Sequence, residues 1–313
     1  MLRQNIWIDA MGFTWEKITY RGSDAAEITG YEGRLPDLEI PEKMEGLPVR
    51  SIAAHAFSGR SDIRSVVLPE SLVTMHLFAF YNCPRLETME LYNSADDYYD
   101  GVIRQCPLLG TITVRCVQPE NYALIRSMLQ DVDVTLTFRL LDAQGKERVK
   151  LTFPEYVNEA KEDTMARAIH FSIEGAGMAY RECVGKKALD LAGYDRLLGR
   201  LTDYDFDVAA RIAFGRLLYP EGLTEQAEEG YESFLRDNDE KTLRFLIRED
   251  EKHSCMEEIR LMTERSLIGE EGLKTALEEA SELGRSEVCS VLMEYRAQSG
   301  SGSGAGETLS LDW

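Results

Sequence analysis

Side chains able to do acid–base chemistry near neutral pH are few in this sequence. Only four histidines occur, His55, His76, His170 and His253, and imidazole is the one group that ordinarily titrates there. His55 and His76 fall on loops inside a repeated unit, where surface or structural roles suffice. His253-Ser-Cys255 is the one close His/Cys pair, but a His-x-Cys lacks the third and fourth ligands of a zinc site. The six cysteines, Cys83, Cys106, Cys116, Cys183, Cys255 and Cys289, are spread without CxxC pairs. That spacing fits reduced, buried thiols better than a disulfide framework or a metal site. No G-x-S-x-G, H-E-x-x-H or P-loop is present, and Glu174-Gly-Ala-Gly-Met178 lacks the preceding strand that a phosphate-cradling turn needs. No metal and no cofactor is expected. The remaining catalytic arrangement is His170, Glu174, Tyr180 and Cys183, where a hairpin meets helices and a cleft would let Cys183 act as a nucleophile.

Charge narrows the partners. The 313 residues carry 55 acidic and 35 basic side chains, a formal charge of −20. Phosphate backbones and anionic lipid are repelled by such a surface unless a basic stripe overrides it, and Lys186-Lys187 is too small for that. No nucleic acid is expected as a partner. No run approaches the ~18 apolar residues of a membrane span, so no membrane insertion is expected. The segment Met1–Phe13 is broken by Gln4, Asn5 and Asp9 and does not read as a signal peptide. A cytoplasmic location is the expectation, with the cell surface as the alternative.

What positions side chains in the first half is an internal repeat. Ile63, Leu86 and Leu109 are 23 apart, as are Val66, Met89 and Ile112, and Leu68, Leu91 and Val114. Ala56-Phe57 returns as Ala79-Phe80, and Cys83 returns as Cys106. An earlier copy, Leu38-Glu-Ile40-Pro41, precedes Val66-Val-Leu68-Pro69 by more than one period, the surplus being taken up by the turn Glu45-Gly-Leu-Pro48. Each apolar-x-apolar triplet is a short strand with one buried face. One such unit leaves its face wet, so stacked units must share a core, with the Ala-Phe element filling it from the opposite wall. The residues between the buried ones then form a second set 23 apart: Ser65 and Val67, Thr88 and Glu90, Thr111 and Thr113. These six are the candidate partner-binding face, since solenoids recognise partners on their concave sheet.

The stretch from Ile40 to Leu91 resembles the leucine-rich repeat of the BspA type, found in bacteria and some protists, and the resemblance covers residues ~25–115. It implies a repeat protein used for adhesion or protein recognition, without naming a ligand.

The solenoid needs caps. Phe13–Tyr20 and Ala25–Tyr31 predict a hairpin for the first end; a helix over 119–130 and a second hairpin across Asp142–Gly145 predict the other. From about Glu155 the spacing becomes helical. Val208, Ile212, Leu217 and Leu218 predict one helix ended by Pro220, and Thr224 caps the next, Glu225 to Asn238. Two helix pairs follow, 239–249 with 253–265 and 270–282 with 285–297. They align at a spacing of ~33 residues, the ankyrin period, which matches Leu243 to Ala276, Met256 to Cys289 and Ile259 to Leu292. Ser299–Gly306 reads as a flexible linker, regular enough to be a fusion joint. It ends in Leu309, Leu311 and Trp313, whose alternation is that of a docking peptide.

The fold class expected is α+β: a cap over 1–35, a leucine-rich-repeat β-solenoid with its C-terminal cap over 36–153, an all-α ankyrin-like domain over 154–298, and a linker and apolar tail over 299–313. The expected function is a non-catalytic protein–protein interaction scaffold whose partner is another protein. The rival functions are an enzyme with its site around His170 and Cys183, and a cell-surface adhesin.

Overall fold

The computed structural model describes residues 7–8, 12–163, 168–201, 203–249 and 255–301. They fall into two compact units, one within Met1–Val208 and one within Ala209–Trp313.

The first unit opens with β1 (Trp7–Ile8), β2 (Phe13–Tyr20) and β3 (Ser23–Tyr31). Arg21 and Gly22, at φ 50° and 83°, make the two-residue turn between β2 and β3, a left-handed pair whose twist suits a hairpin. Next come β4 (Asp37–Glu39), β5 (Lys43–Met44), β6 (Leu47–Ile52), β7 (Ser65–Val67) and β8 (Thr74–Met75). They are followed by β9 (Thr88–Tyr92), β10 (Asp97–Tyr98), β11 (Thr111–Arg115), α1 (Ala123–Asp131), β12 (Leu136–Leu141) and β13 (Glu147–Phe153). β5 and the first two residues of β6, paired antiparallel, are the insertion read around Glu45.

These strands make two sheets. One has the order β13-β12-β11-β9-β7-β4, and five of its strands, β4, β7, β9, β11 and β12, are parallel turns of the solenoid. The other has the order β1-β2-β3-β6-β8-β10, parallel from β3 onward. The repeat pattern predicts only the first of these. Thr74-Met75 and Asp97-Tyr98 are two-residue strands, too short for an alternation to register.

The core lies between the sheets. Val66, Met89, Ile112 and Phe138 occupy one register and are 0–1% exposed. Ile28, Ile52 and Met75 face them from the other sheet, fully buried. Phe57 and Phe80 stack in the wall between, centroids 4.9 Å apart, as the Ala-Phe repeat predicts. The Cys83 thiol donates to the Phe57 carbonyl and the Cys106 thiol to the Phe80 carbonyl, both at 3.2 Å. Contact with Cys106 and then burial push the Cys83 thiol up from its ordinary range.

A third ladder runs along that wall. The N–H groups of His55, Phe57 and Gly59 donate to the carbonyls of Leu77, Ala79 and Tyr81, and those of Phe78, Phe80 and Asn82 to Asp100, Val102 and Arg104. Holding this register puts His55, Phe78 and Gly101 at positive φ, and Gly59, Asn82 and Gln105 likewise. Gly101 has a second reason to be glycine: an added Cβ would lie 2.4 Å from Phe78 Cε1.

The ladder ends where the next coil is missing. There the Asp131 carboxylate, 8% exposed at the end of α1, accepts from Gly101 N at 3.0 Å, Ile103 N at 3.4 Å and Tyr98 Oη at 2.6 Å. A carboxylate therefore stands in for the absent carbonyls, because buried N–H groups are rarely left unpaired. Burial and the Asp131 charge together hold the Tyr98 phenol well above its usual range.

The helical spacing expected from about Glu155 does not begin there. Two antiparallel strands pair there instead, β14 (Val157–Asp163) and β15 (Ala168–Glu174), and the alternation Ile169-x-Phe171-x-Ile173 is the period-two signal that accounts for them. Contrary to the reading of Glu174-Gly-Ala-Gly-Met178 as lacking a preceding strand, β15 runs up to Glu174, and helices start with α2 (Gly177–Glu182) and α3 (Leu191–Asp195). From α3, the Tyr194 hydroxyl accepts from Thr152 N at 2.9 Å and donates to Thr152 O at 2.6 Å, closing the edge of β13.

The remaining helices are α4 (Phe206–Leu218), α5 (Glu225–Asp237), α6 (Asp239–Arg248), α7 (Met256–Glu264), α8 (Glu270–Glu282) and α9 (Ser286–Ser301). Thr224 caps α5 by accepting from Ala227 N, as the sequence predicts. Within the second unit α6 packs on α8 and α7 on α9, so equivalent helices of the two pairs are neighbours. Leu243, Ala276, Ile259 and Leu292 are all buried.

Candidate interaction face

The hydrogen-bond register lines the six expected face residues into two rows. Asp37, Ser65, Thr88, Thr111 and Thr137 stand side by side across β4, β7, β9, β11 and β12, and Glu39, Val67, Glu90, Thr113 and Arg139 stand in the next row. Both rows lie on the side of the sheet opposite the buried Val66, Met89 and Ile112. Thr88 is exposed and Ser65, Val67, Glu90, Thr111 and Thr113 are half-buried. Adjacent strands are ~4.8 Å apart, so five strands span ~19 Å of continuous surface.

Hydroxyls and paired charges make up this surface. Ser65 Oγ donates to Asp37 Oδ1 at 2.8 Å, and Thr137 Oγ1 lies 3.0 Å from Thr152 Oγ1. Arg115 Nε donates to Glu90 Oε1 at 2.6 Å, and the Arg139–Glu147 pair closes at 2.5 Å. Glu90 is therefore a neutralised member of the row and not a lone carboxylate. Asp37 and Glu39 are exposed at the first strand, so the face is acidic at β4, while the one cation of the rows at β12, Arg139, is paired with Glu147.

Asp37, Glu39, Thr137 and Arg139 were not read as part of the face from sequence. Their signal was present: Leu136-x-Phe138-x-Leu140 has the same alternation as β11. Phe138 falls out of step with the repeat that ends at Ile112, because α1 intervenes.

The four residues of the catalytic rival fall on separate stretches of β15 and α2, with Tyr180 and Cys183 adjacent in the chain fold. His170 lies on β15, opposite Lys161, and Glu174 ends that strand. Tyr180 is fully buried in α2 against Tyr194, ring centroids 4.8 Å apart. Cys183 follows α2, its thiol donating to Ala179 O at 3.5 Å. Burial pushes it up to about 11, so it is protonated at neutral pH, the reverse of what nucleophilic attack requires. His253 and the tail residues Leu309, Leu311 and Trp313 lie outside the described residues. Two open cavities of the first unit, about 370 Å³ beside Tyr20, Arg50 and Asp96 and about 440 Å³ beside Arg104, Cys106 and Asp131, have no histidine among their described lining residues. Among the described residues no cluster of three or more His, Cys, Asp or Glu is placed to hold a metal. No helix there is long and apolar enough to cross a membrane.

The fold agrees with comparison to a known family. Residues 31–143 match the family described as the BspA type leucine rich repeat region, in 6 copies; this part of the chain is a BspA-type leucine-rich-repeat solenoid. A crystal structure of a leucine-rich-repeat protein of T. pallidum aligns at 20% identity over 34% of this chain and 70% of that one, with a TM-score of 0.22. No curated protein matches. The repeat family suggests a scaffold for protein interaction.

Proposed function

We propose that this protein is a non-catalytic interaction scaffold that binds another protein on the outer side of the β4-β7-β9-β11-β12 sheet, through the rows of Ser65, Thr88 and Thr111 and of Val67, Glu90 and Thr113. The observation carrying this reading is the in-register, solvent-facing alignment of those residues across successive coils. A rigid parallel sheet presents them without an ordering cost on binding. The helix pairs of the second unit, ankyrin-like in their pairing, supply a second surface of the same kind. All six cysteines are free, which supports a reducing, cytoplasmic setting.

The test is a double variant, Thr88→Arg with Thr111→Arg, compared with the native chain in quantitative affinity capture from the native cells. The expected result is loss of one specific partner with the melting temperature unchanged. Capture of the same partner at native yield by the folded variant would remove this face from the account.

A further inference from the structure

The second sheet has its own outer side, and its chemistry differs from that of the hydroxyl face. Opposite the buried Trp15, Ile28, Ile52 and Met75, register places Glu16, Glu27, Ser51, Thr74 and Asp97 in one row over β2, β3, β6, β8 and β10. The two hydroxyls are buried, Ser51 at 2% and Thr74 at 7% exposed, and form the floor between the acids: Ser51 Oγ donates to Glu27 Oε1 at 2.7 Å and Thr74 Oγ1 to Asp97 Oδ2 at 3.4 Å. Each bond fixes one carboxylate by one oxygen, so the acids are oriented before any partner arrives. The neighbouring row ends in His76 and Tyr99, rings 4.9 Å apart, with Tyr99 46% exposed and His76 Nε2 3.4 Å from Glu27 Oε1. Neither row contains lysine or arginine.

We propose that this face docks an extended basic segment of a partner protein. Carboxylates with an exposed phenol ring beside them suit ammonium and guanidinium groups, which pair with the acids and rest on the ring face. Anionic partners are disfavoured by the row itself and by the chain's charge of −20. The row also sets a spacing. Glu27 and Asp97 are three strands apart, ~14 Å at ~4.8 Å per strand, which an extended chain covers in about four residues at ~3.3 Å each. Lysines at positions i and i+4 of the incoming segment therefore meet Glu27 and Asp97 together. Both acids lie away from the Thr88 and Thr111 face, so this site stands or falls independently of the scaffold reading.

The probe is a fluorescein-labelled peptide with lysine at every fourth position and Ser-Val-Ser between, titrated against the full chain by fluorescence anisotropy at low salt. Glu27→Gln with Asp97→Asn keeps acceptors for Ser51 and Thr74, and its melting temperature reports that the fold persists. The expected result is at least a tenfold weakening in that variant, about threefold in Tyr99→Ala, and none in Glu282→Gln with Glu287→Gln on the other unit. A peptide of the same composition with its lysines contiguous binds more weakly than the spaced one. Absence of binding by the native chain, native affinity in the Glu27/Asp97 variant, or equal weakening in the Glu282/Glu287 variant overturns the proposal.

Discussion

The two repeat arrays of this chain hold their units together in different ways. In the solenoid every coil is joined to the next by backbone hydrogen bonds, in two sheets and along the wall that carries Phe57 and Phe80. In the helical unit the backbone bonds stay inside each helix, and the pairs are joined by side chains. Arg244 and Arg248 of α6 both reach Glu279 of α8, and Asp239 Oδ2 accepts from Gly269 N at 2.7 Å. A backbone ladder admits no slippage without unpairing donors and acceptors, whereas side-chain packing tolerates drift. The ladder carries one interval from Ile63 to Leu86 and again from Leu86 to Leu109.

On that difference, damage should be costlier in the ladder than in the helix stack. Phe80→Ala opens a cavity in the stacked Phe57–Phe80 wall and should destabilise the solenoid by roughly 3–5 kcal/mol, read as an earlier urea transition for the β signal with the helical signal unmoved. Asp131→Ala strands the Gly101 and Ile103 N–H groups and should cost ~2–3 kcal/mol, with increased amide exchange at those two positions. Gly272→Ala sharpens the helical side of the comparison. Helix propensity alone favours alanine by ~1 kcal/mol, but the new Cβ would lie 2.3 Å from Asp239 Oδ2. The expected outcome in thermal melts is a net loss of ~1 kcal/mol; a gain would show that Asp239 moves freely and does not cap α8. Thr111→Ala, on the candidate face, should change stability by less than ~0.5 kcal/mol while weakening partner capture.

The same contrast decides what was legible in the sequence. The first sheet, its core rows and the six face residues follow from the repeat register, because a period-two pattern locked to a fixed repeat has one geometric solution. Beyond its β2–β3 hairpin the second sheet was not legible: its strands at Thr74 and Asp97 are two residues long, and the pairing of Ser51 with Glu27 joins residues 24 apart. The role of Asp131 was hidden too, since a carboxylate replacing a coil's carbonyls leaves no motif. Thr224 as a cap and the boundaries of α5, α6 and α8 were legible, being local signals. The pairing of β14 with β15 was missed although its alternation is in plain view at Ile169, Phe171 and Ile173.

Site-specific photo-crosslinking in the native cells tests the scaffold reading most directly, with a benzophenone side chain installed at position 111 in one variant and at position 278, on α8, in another. A discrete adduct with a second protein from position 111, lost when Thr88→Arg is added, is the predicted result. Adducts from position 278 alone, or none from position 111 in a correctly folded chain, contradict it.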